Sequence, residues 1–103
     1  MGTLRLRNCT KHVVEYWRVI AFARKNYVEA GNEGTYYWGA TFTLKARLAH
    51  VNPNGENSRA GVNPNGIYYA YWANGTLHIY DENQIKAFSS NEDNPHLKKW
   101  LDR

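Results

Sequence analysis

The longest alternation of apolar and polar residues runs through residues 35–51. Apolar side chains recur at every second position, while Tyr37, Lys45 and Arg47 fall on the opposite side. A period of two is typical of a half-buried antiparallel strand. A straight strand of this length would span about 56 Å, which is too long for a compact chain with a radius of gyration of about 13 Å. We therefore predict that the strand bends or breaks, most readily at Gly39, which has no Cβ, and next at Ala46.

Residues 10–29 follow a different period. After Thr10, a candidate N-cap, the apolar residues gather on one side at about 100° per residue, which predicts an amphipathic helix that ends at Gly31. Two residues interrupt the pattern. Arg24 lies within the apolar arc and is either a snorkelling side chain or the buried partner of a carboxylate or anion. Phe22 lies within the polar arc, as an exposed aromatic or as a contact with a neighbouring segment or subunit.

The most specific local signal is Asn74-Gly75, which lies between the alternating runs 67–73 and 76–80. Asn-Gly in this position predicts a two-residue hairpin with a type I′ turn. Such a turn fixes the register, so that Trp72 faces Leu77 on the core side. The reverse face of the hairpin is unusually aromatic for a surface and carries Ile67, Tyr69, Tyr71, His78 and Tyr80.

Three shorter elements are predicted at the two ends of the chain. Residues 3–7 alternate and form either a short strand or a tail that orders by pairing. Residues 84–89 have the brief alternation of an edge strand. A short C-terminal helix is predicted to begin at Pro95, with Asn94 or Asp93 as its N-cap.

Residues 52–66 are rich in Asn, Gly and Pro, and the motif VNPNG occurs at 51–55 and again at 62–66. Each copy predicts a turn, because Pro sets φ at the corner and Gly accepts positive φ. We interpret the segment as a loop that is mobile by default; the alternatives are a binding role and an extension of the two flanking strands.

These elements predict an α+β fold in a single domain over residues 1–103. An N-terminal helix packs on a curled antiparallel sheet of about four strands, and a short C-terminal helix follows. The order of elements resembles the cystatins and the cone-shaped folds of the nuclear-transport-factor-two and ketosteroid-isomerase families, whose cavities bind small molecules. It is also similar to the double-stranded-RNA-binding domain. The Gln-x-Val-x-Gly loop of the cystatins is absent and no catalytic Asp or Tyr is matched, so the resemblance carries over no residue.

Charge is distributed unevenly along the chain. The net charge is +4, and residues 1–50 carry +5 while the remainder carries −1. This asymmetry permits nucleic acid as a partner, but the charges are not clustered, so we do not favour it. With Cys9 as the one cysteine, no internal disulfide forms and a reducing, cytoplasmic location is expected. No apolar run reaches the length of a membrane span, and no membrane partner is expected.

The candidates for chemistry are few. The four histidines are far apart in sequence, so neither a metal site nor a cofactor is expected, and no catalytic residue is assigned. A pairing of Cys9 with His12 as nucleophile and base is less favoured than an incidental cysteine. His78 is interpreted either as a general base or ligand contact among tyrosines, or as the cross-strand packing partner of Tyr71, which we favour.

The aromatic reverse face carries the functional prediction, because an exposed apolar patch marks an interface or a binding site. We expect a non-enzymatic binding or interaction protein that forms a homodimer. The alternative is a small-molecule-binding protein or enzyme with a cavity between helix and sheet, for which Arg24 and Trp17 are the pocket candidates. Nucleic-acid binding is a further alternative. The predicted interface consists of Tyr37, Lys45, Arg47, Tyr69, Tyr71, His78 and Tyr80.

Overall fold

A computed structural model describes residues 2–88 and 94–101, apart from the side chain of Phe88. Eight strands form two four-stranded sheets, sheet A in the order β4-β1-β7-β8 and sheet B in the order β3-β2-β5-β6. Two short helices follow the last strand. The elements are β1 (Gly2–Asn8), β2 (Val14–Arg18), β3 (Asn26–Val28), β4 (Glu33–Trp38), β5 (Phe42–Leu48), β6 (Asn57–Val62), β7 (Ile67–Ala73), β8 (Thr76–Asp81), α1 (Glu82–Phe88) and α2 (Pro95–Leu101).

The two sheets face each other across a shared apolar core, which makes the fold a β-sandwich. Neighbouring strands are antiparallel except for β1 and β7, which run parallel. Alternate residues of each strand point into the core, as a half-buried strand requires. Sheet A contributes Leu4, Leu6, Tyr68, Ala70, Leu77 and Ile79, and sheet B contributes Val14, Tyr16, Val28, Phe42, Leu44, Ala46, Leu48 and Val62.

The predicted N-terminal helix over residues 10–29 is wrong. This segment contains β2 and β3, which pair as an antiparallel hairpin through the connection 19–25. Within the described residues, the helices are α1 and α2, and both come after the strands. The predicted α+β architecture with cystatin-like or cone-like order is therefore also wrong, since the chain is mostly β.

The helical pattern arose because β2 is buried on both of its faces. Val14 and Tyr16 point into the core, while Glu15 and Trp17 are buried on the outer face of sheet B. A strand buried on both faces loses the apolar and polar alternation, and the remaining spacing imitates a helical stripe. The segment is rich in β-branched and aromatic residues, which are typical of strands. That composition is the signal that the helical interpretation did not use.

The predicted strand over residues 35–51 is divided between the two sheets. β4 ends at Trp38 and pairs with β1 in sheet A, whereas β5 begins at Phe42 and pairs with β2 in sheet B. Residues 39–41 make the crossing between the sheets. The predicted break at Gly39 is therefore where the chain leaves one sheet for the other.

The predicted edge strand over residues 84–89 is wrong, because the chain forms α1 there; Ser89 lies outside the described residues. Asp81 and Gln84 form a capping box. The Gln84 N–H donates to Asp81 Oδ1 at 2.8 Å, and the Asp81 N–H donates to Gln84 Oε1 at 3.0 Å. This exchange satisfies backbone donors at the start of a helix. The Asp-x-x-Gln spacing is the sequence signal that the strand interpretation missed.

The β7–β8 hairpin is confirmed together with its register, in which Trp72 pairs with Leu77. Asn74 and Gly75 have φ values of 53° and 75°, and a type I′ turn requires positive φ at both positions. The strand predicted at residues 3–7 is confirmed as β1, which lies inside sheet A between β4 and β7.

The predicted C-terminal helix is confirmed as α2. Asn94 is its N-cap, since Asn94 Oδ1 accepts the N–H groups of His96 at 2.9 Å and Leu97 at 3.3 Å. Pro95 occupies the first helical position, where a missing N–H costs nothing. Asp93, the alternative cap, lies outside the described residues.

The two copies of the VNPNG motif lie at opposite ends of the sandwich. Residues 51–55 follow β5 and reach sheet A, where the Gly55 carbonyl accepts the Leu77 N–H at 2.9 Å. Residues 62–66 connect β6 to β7. The strand β6 thus lies within the stretch that was interpreted as a loop. The mobility of the rest of this stretch remains a prediction.

The helices α1 and α2 cover the outer face of sheet A. Ile85 of α1 and Leu97 of α2 form a second buried cluster with Cys9, Tyr69 and Tyr71. The chain therefore places its own helices over the centre of the aromatic reverse face.

Candidate functional site

The centre of the predicted interface is buried inside the chain. Tyr69 has no exposed surface and Tyr71 is 5% exposed, because both lie beneath α2. Tyr80 is half-buried and packs against the same cluster. In this conformation, Tyr69 presents no area to a partner and Tyr71 presents very little.

Arg7 connects the covered face to α2. Its Nη1 donates to the Tyr69 hydroxyl at 2.8 Å, and its Nε donates to Glu33 Oε1 at 3.0 Å. The guanidinium carbon also lies 5.6 Å from the centroid of the Trp100 ring. Burial raises the pKa of Tyr69, and the positive charge of Arg7 offsets only part of that effect. Arg7 and Tyr69 are therefore explained by their role in holding α2 on sheet A.

The remaining members of the predicted interface lie on opposite faces of the sandwich. Tyr37 is on the outer face of sheet A and is 63% exposed. Lys45 and Arg47 are on the outer face of sheet B, where they pair with carboxylates. Arg47 Nε lies 2.5 Å from Glu15 Oε1, and Lys45 Nζ lies 3.8 Å from Glu56 Oε2. The structure thus does not bring the seven predicted residues together.

Glu15 is the buried centre of the outer face of sheet B. The Tyr27 hydroxyl donates to its Oε2 at 2.6 Å, and Arg47 Nε donates to its Oε1. Burial acts to raise the pKa of Glu15, but these hydrogen bonds and the charges of Arg47 and Lys25 outweigh burial, so the pKa is lowered. A carboxyl group whose pKa is lowered by folding stabilises the native state at pH values above its unfolded-state pKa. The contribution of Glu15 to stability is therefore lost as the pH falls through its native-state pKa. The carboxylate is thus held in its ionised form.

Trp17 and Arg24, the pocket candidates, lie in different surroundings. Trp17 is buried on the outer face of sheet B, with Lys25 Nζ 3.8 Å from its ring centroid. Arg24 lies in the exposed connection 19–25. His78 stacks on Tyr80 with ring centroids 5.1 Å apart, and its Nε2 lies 3.2 Å from the Ala73 carbonyl oxygen. Packing accounts for these contacts of His78.

A cleft opens at the end of the sandwich where β1, β5 and β7 finish and α2 begins. Its volume is about 520 Å³, within the range of small-molecule sites. We call this opening the end cleft. Its lining comes from four segments and consists of Cys9, Thr10, Lys11, His12, Leu48, Val51, Pro53, Tyr71, Trp72, Asn94, Pro95 and His96.

The charged side chains in the described lining of the end cleft are basic. Lys11, His12 and His96 are its basic residues, and no carboxylate is among the lining residues that the structure describes. The apolar part of the lining includes Val51 and Trp72. An apolar wall with a few polar groups is the usual composition of a small-molecule site. Such a cleft suits a ligand that has both an anionic group and an apolar or aromatic part.

The shape of the end cleft depends on Asn8, which is fully buried at the end of β1. Asn8 Nδ2 donates to the carbonyl oxygens of His12 at 2.7 Å and Val28 at 2.9 Å. Its Oδ1 accepts the Thr10 N–H at 2.9 Å. These bonds hold the turn that carries Lys11 and His12 against the end of β3.

Cys9 forms part of the floor of the end cleft and is 3% exposed. Burial raises the pKa of the Cys9 thiol to about 12. A thiol must ionise to act as a nucleophile, so at neutral pH Cys9 is an inert part of the wall. This supports the interpretation of Cys9 as an incidental cysteine.

Among residues 2–88 and 94–101, no group of three or more His, Cys, Asp or Glu side chains is arranged to hold a metal ion. None of the helices in this part of the chain is long and apolar enough to cross a membrane.

Comparison with known proteins identifies no relative of this chain, since no family model, no curated protein and no solved structure matches it.

The end cleft contains residues that the sequence did not associate with one another. Lys11 and His12 belong to the segment predicted as a helix, and His96 lies 84 positions after His12. Their proximity follows from the docking of α2, where Asn94 Nδ2 donates to the Cys9 carbonyl at 3.0 Å and Lys99 Nζ donates to the Gly31 carbonyl at 2.9 Å. No spacing in the sequence signals these long-range contacts.

Proposed function

We propose that this chain is a small non-enzymatic binding protein that holds a small anionic molecule with an apolar or aromatic part in the end cleft. The observation that carries the proposal is the described part of the lining, in which Lys11, His12 and His96 accompany an apolar wall and no carboxylate. This composition of the described lining matters because a cleft whose charged groups are basic attracts anions and repels cations. Trp72 supplies the flat surface for a ring.

Hydrogen bonds hold the segments that line the end cleft, which supports ligand binding at a site that is already formed. Asn8 fixes the turn that bears Lys11 and His12, and the capped start of α2 fixes His96. A site that is largely formed before the ligand arrives avoids the cost of ordering it.

The test uses two dyes with the same ring system. Anilinonaphthalene sulfonate carries an anionic group, and phenylnaphthylamine does not. We expect the sulfonate dye to bind more tightly, with binding that weakens as salt is added. Lys11→Gln is expected to weaken sulfonate binding about fivefold, the effect of about 1 kcal/mol for two charges in contact in water-like surroundings. Fluorescence titration measures both dyes.

The matched control for this experiment is Lys25→Gln, which removes an exposed lysine at the opposite end of the sandwich. It is expected to leave both titrations unchanged. Equal affinity for the two dyes, or equal losses in the Lys11 and Lys25 variants, would contradict the proposal.

Self-association remains a prediction, and the structure sharpens its test. Of the predicted interface, Tyr37 is the residue with the greatest exposure, at 63%. Tyr37→Glu is expected to dissociate a dimer formed through the outer face of sheet A, because it places a charge in the contact. Sedimentation velocity measures the change. A wild-type protein that is monomeric at high concentration would contradict the prediction.

Nucleic-acid binding and a cytoplasmic location also remain proposals. Nucleic-acid binding rests on the excess of positive charge in residues 1–50, and salt-dependent retention of an oligonucleotide tests it.

The cytoplasmic location rests on Cys9, which is a free cysteine, as expected in a reducing compartment.

A further inference from the structure

The connection between β2 and β3 exposes apolar side chains at the end of the sandwich opposite the end cleft. Phe22 is fully exposed, and Val19 and Ile20 are 47% and 46% exposed. We call residues 19–23 the apolar tip. Phe22 has a φ of 56°, which is uncommon for a residue other than glycine. The turn at the apex therefore presents the phenyl ring to solvent, where it contacts no core.

Basic residues flank the apolar tip on both sides. Arg18 ends β2, and Arg24 and Lys25 precede β3. The ion pairs formed within the described residues involve none of these three side chains. The sequence from residue 16 to residue 28 contains no acidic residue. This end of the sandwich thus combines exposed apolar groups with three cations that form none of these ion pairs, although the charge of Lys25 also helps to lower the pKa of Glu15.

Aromatic rings hold two of these cations close to the sandwich. The guanidinium carbon of Arg18 lies 3.5 Å from the centroid of the Trp38 ring, and Arg18 Nε donates to the Tyr36 hydroxyl at 3.0 Å. Lys25 Nζ lies 3.8 Å from the centroid of the Trp17 ring. The cations are therefore positioned at the base of the connection, below the apolar apex.

We propose that the apolar tip docks this protein on the surface of an anionic phospholipid bilayer. From its apex to its base, the connection carries apolar, then aromatic and basic side chains. A bilayer surface offers matching layers, from the acyl chains to the headgroups and their phosphates. Apolar side chains at the apex enter the boundary of the acyl chains, Trp38 lies at headgroup level, and Arg18, Arg24 and Lys25 contact lipid phosphates. A narrow apex is also suited to insertion, whereas a protein partner usually needs a broad surface of about 800 Å² on each side.

This docking is independent of ligand binding in the end cleft, which lies at the other end of the sandwich. It is an alternative to the expectation that the protein has no membrane partner, which no observation here tests. That expectation rested on the lack of a spanning segment, and docking at a surface requires none.

The experiment is flotation of the full chain with vesicles of pure phosphatidylcholine and with vesicles that contain about one third phosphatidylserine. We expect binding to the anionic vesicles, little binding to the neutral ones, and loss of binding at high salt. The double variant Ile20→Ser with Phe22→Ser is expected to lose about tenfold in binding. Arg24→Gln and Lys25→Gln are expected to lose about fivefold each. All four positions are exposed, and unchanged circular dichroism verifies that the variants fold.

Two control variants distinguish binding through the apolar tip from nonspecific adsorption to vesicles. Ile67→Ser removes an exposed apolar residue from the outer face of sheet A, and Lys11→Gln removes a lysine from the end cleft. Both are expected to bind anionic vesicles as the wild type does. Equal binding to neutral and anionic vesicles, or full binding by the Ile20 and Phe22 double variant, would overturn the proposal. Self-association that depends on Phe22, without vesicle binding, would overturn it in favour of a second copy of the chain.

Discussion

Replacement of Asn8 by Asp is expected to destabilise the fold by about 3–5 kcal/mol. Asn8 has no exposed surface, and its Nδ2 donates to two carbonyl oxygens, those of His12 and Val28. A carboxylate in the same place has no proton to donate. It would leave both carbonyls without their donor and set a buried negative charge against them. Urea unfolding at neutral pH measures the loss, which is a large part of the stability of an ordinary domain.

The matched control is Asn83→Asp, at an exposed position in the first turn of α1. It makes the same chemical change where a negative charge is favourable, near a helix N-terminus. Its effect is expected to stay within about 0.5 kcal/mol of the wild type. A loss at Asn8 as small as that at Asn83 would show that the buried hydrogen bonds at the end of β1 contribute little.

The consequence of the Asn8 substitution extends to the site, because Asn8 holds the turn that bears Lys11 and His12. A milder variant, Asn8→Ser, keeps an oxygen that can accept the Thr10 N–H but loses the reach to Val28. We expect it to lower the affinity for the anionic dye more than the affinity for the uncharged one. The position of the cations changes, while the apolar wall around Trp72 stays in place.

The parts of the fold that were predictable from the sequence depend on local rules. The Asn74-Gly75 turn has backbone requirements that few other residues meet, and Pro95 after Asn94 satisfies the start of α2 within one turn. The length of the alternating run required a break, and the missing Cβ of Gly39 indicated its position. In each case, the residues that determine the structure are within a few positions of it.

The parts that were not predictable depend on tertiary contacts. In β2, Glu15 and Trp17 are buried because Tyr27, Arg47 and Lys25 cover them, so the period of two disappears from a strand. Propensity and period are weak signals when burial occurs on both faces. The error at residues 10–29 then changed the whole architecture, since it replaced a hairpin of sheet B by a helix.

The same limit applies to the candidate sites. The sequence identified Tyr69 and Tyr71 as a surface because their strand alternates, but it contained no indication that α2 would return to cover them. It identified Phe22 as an exception in a helical wheel. The exception was informative, because Phe22 is the most exposed large apolar residue in the described part of the chain.

Truncation of Tyr69 provides the direct test of whether the covered aromatic face belongs to the chain or to a partner. Tyr69→Ala is expected to lower the free energy of unfolding by about 3–5 kcal/mol, as for other buried aromatic residues. Its ring fills the space between sheet A and α2, and its hydroxyl accepts a hydrogen bond from Arg7 Nη1. Tyr69→Phe keeps the ring and is expected to cost about 1 kcal/mol, the contribution of the lost hydrogen bond. Thermal and urea unfolding measure both.

The control on the same sheet face is Tyr37→Ala, whose effect is expected to stay within about 0.5 kcal/mol, because Tyr37 is largely exposed. Substitutions at Tyr69 and Tyr37 distinguish a tyrosine face that binds a partner from one that α2 covers. If α2 left the sheet so that a partner could bind the tyrosines, Tyr69→Ala would weaken association and leave monomer stability nearly unchanged. If α2 stays docked, as the contacts of Arg7, Asn94 and Lys99 imply, the substitution destabilises the monomer itself. The unfolding free energy of Tyr69→Ala at a concentration where the protein is monomeric therefore decides between them.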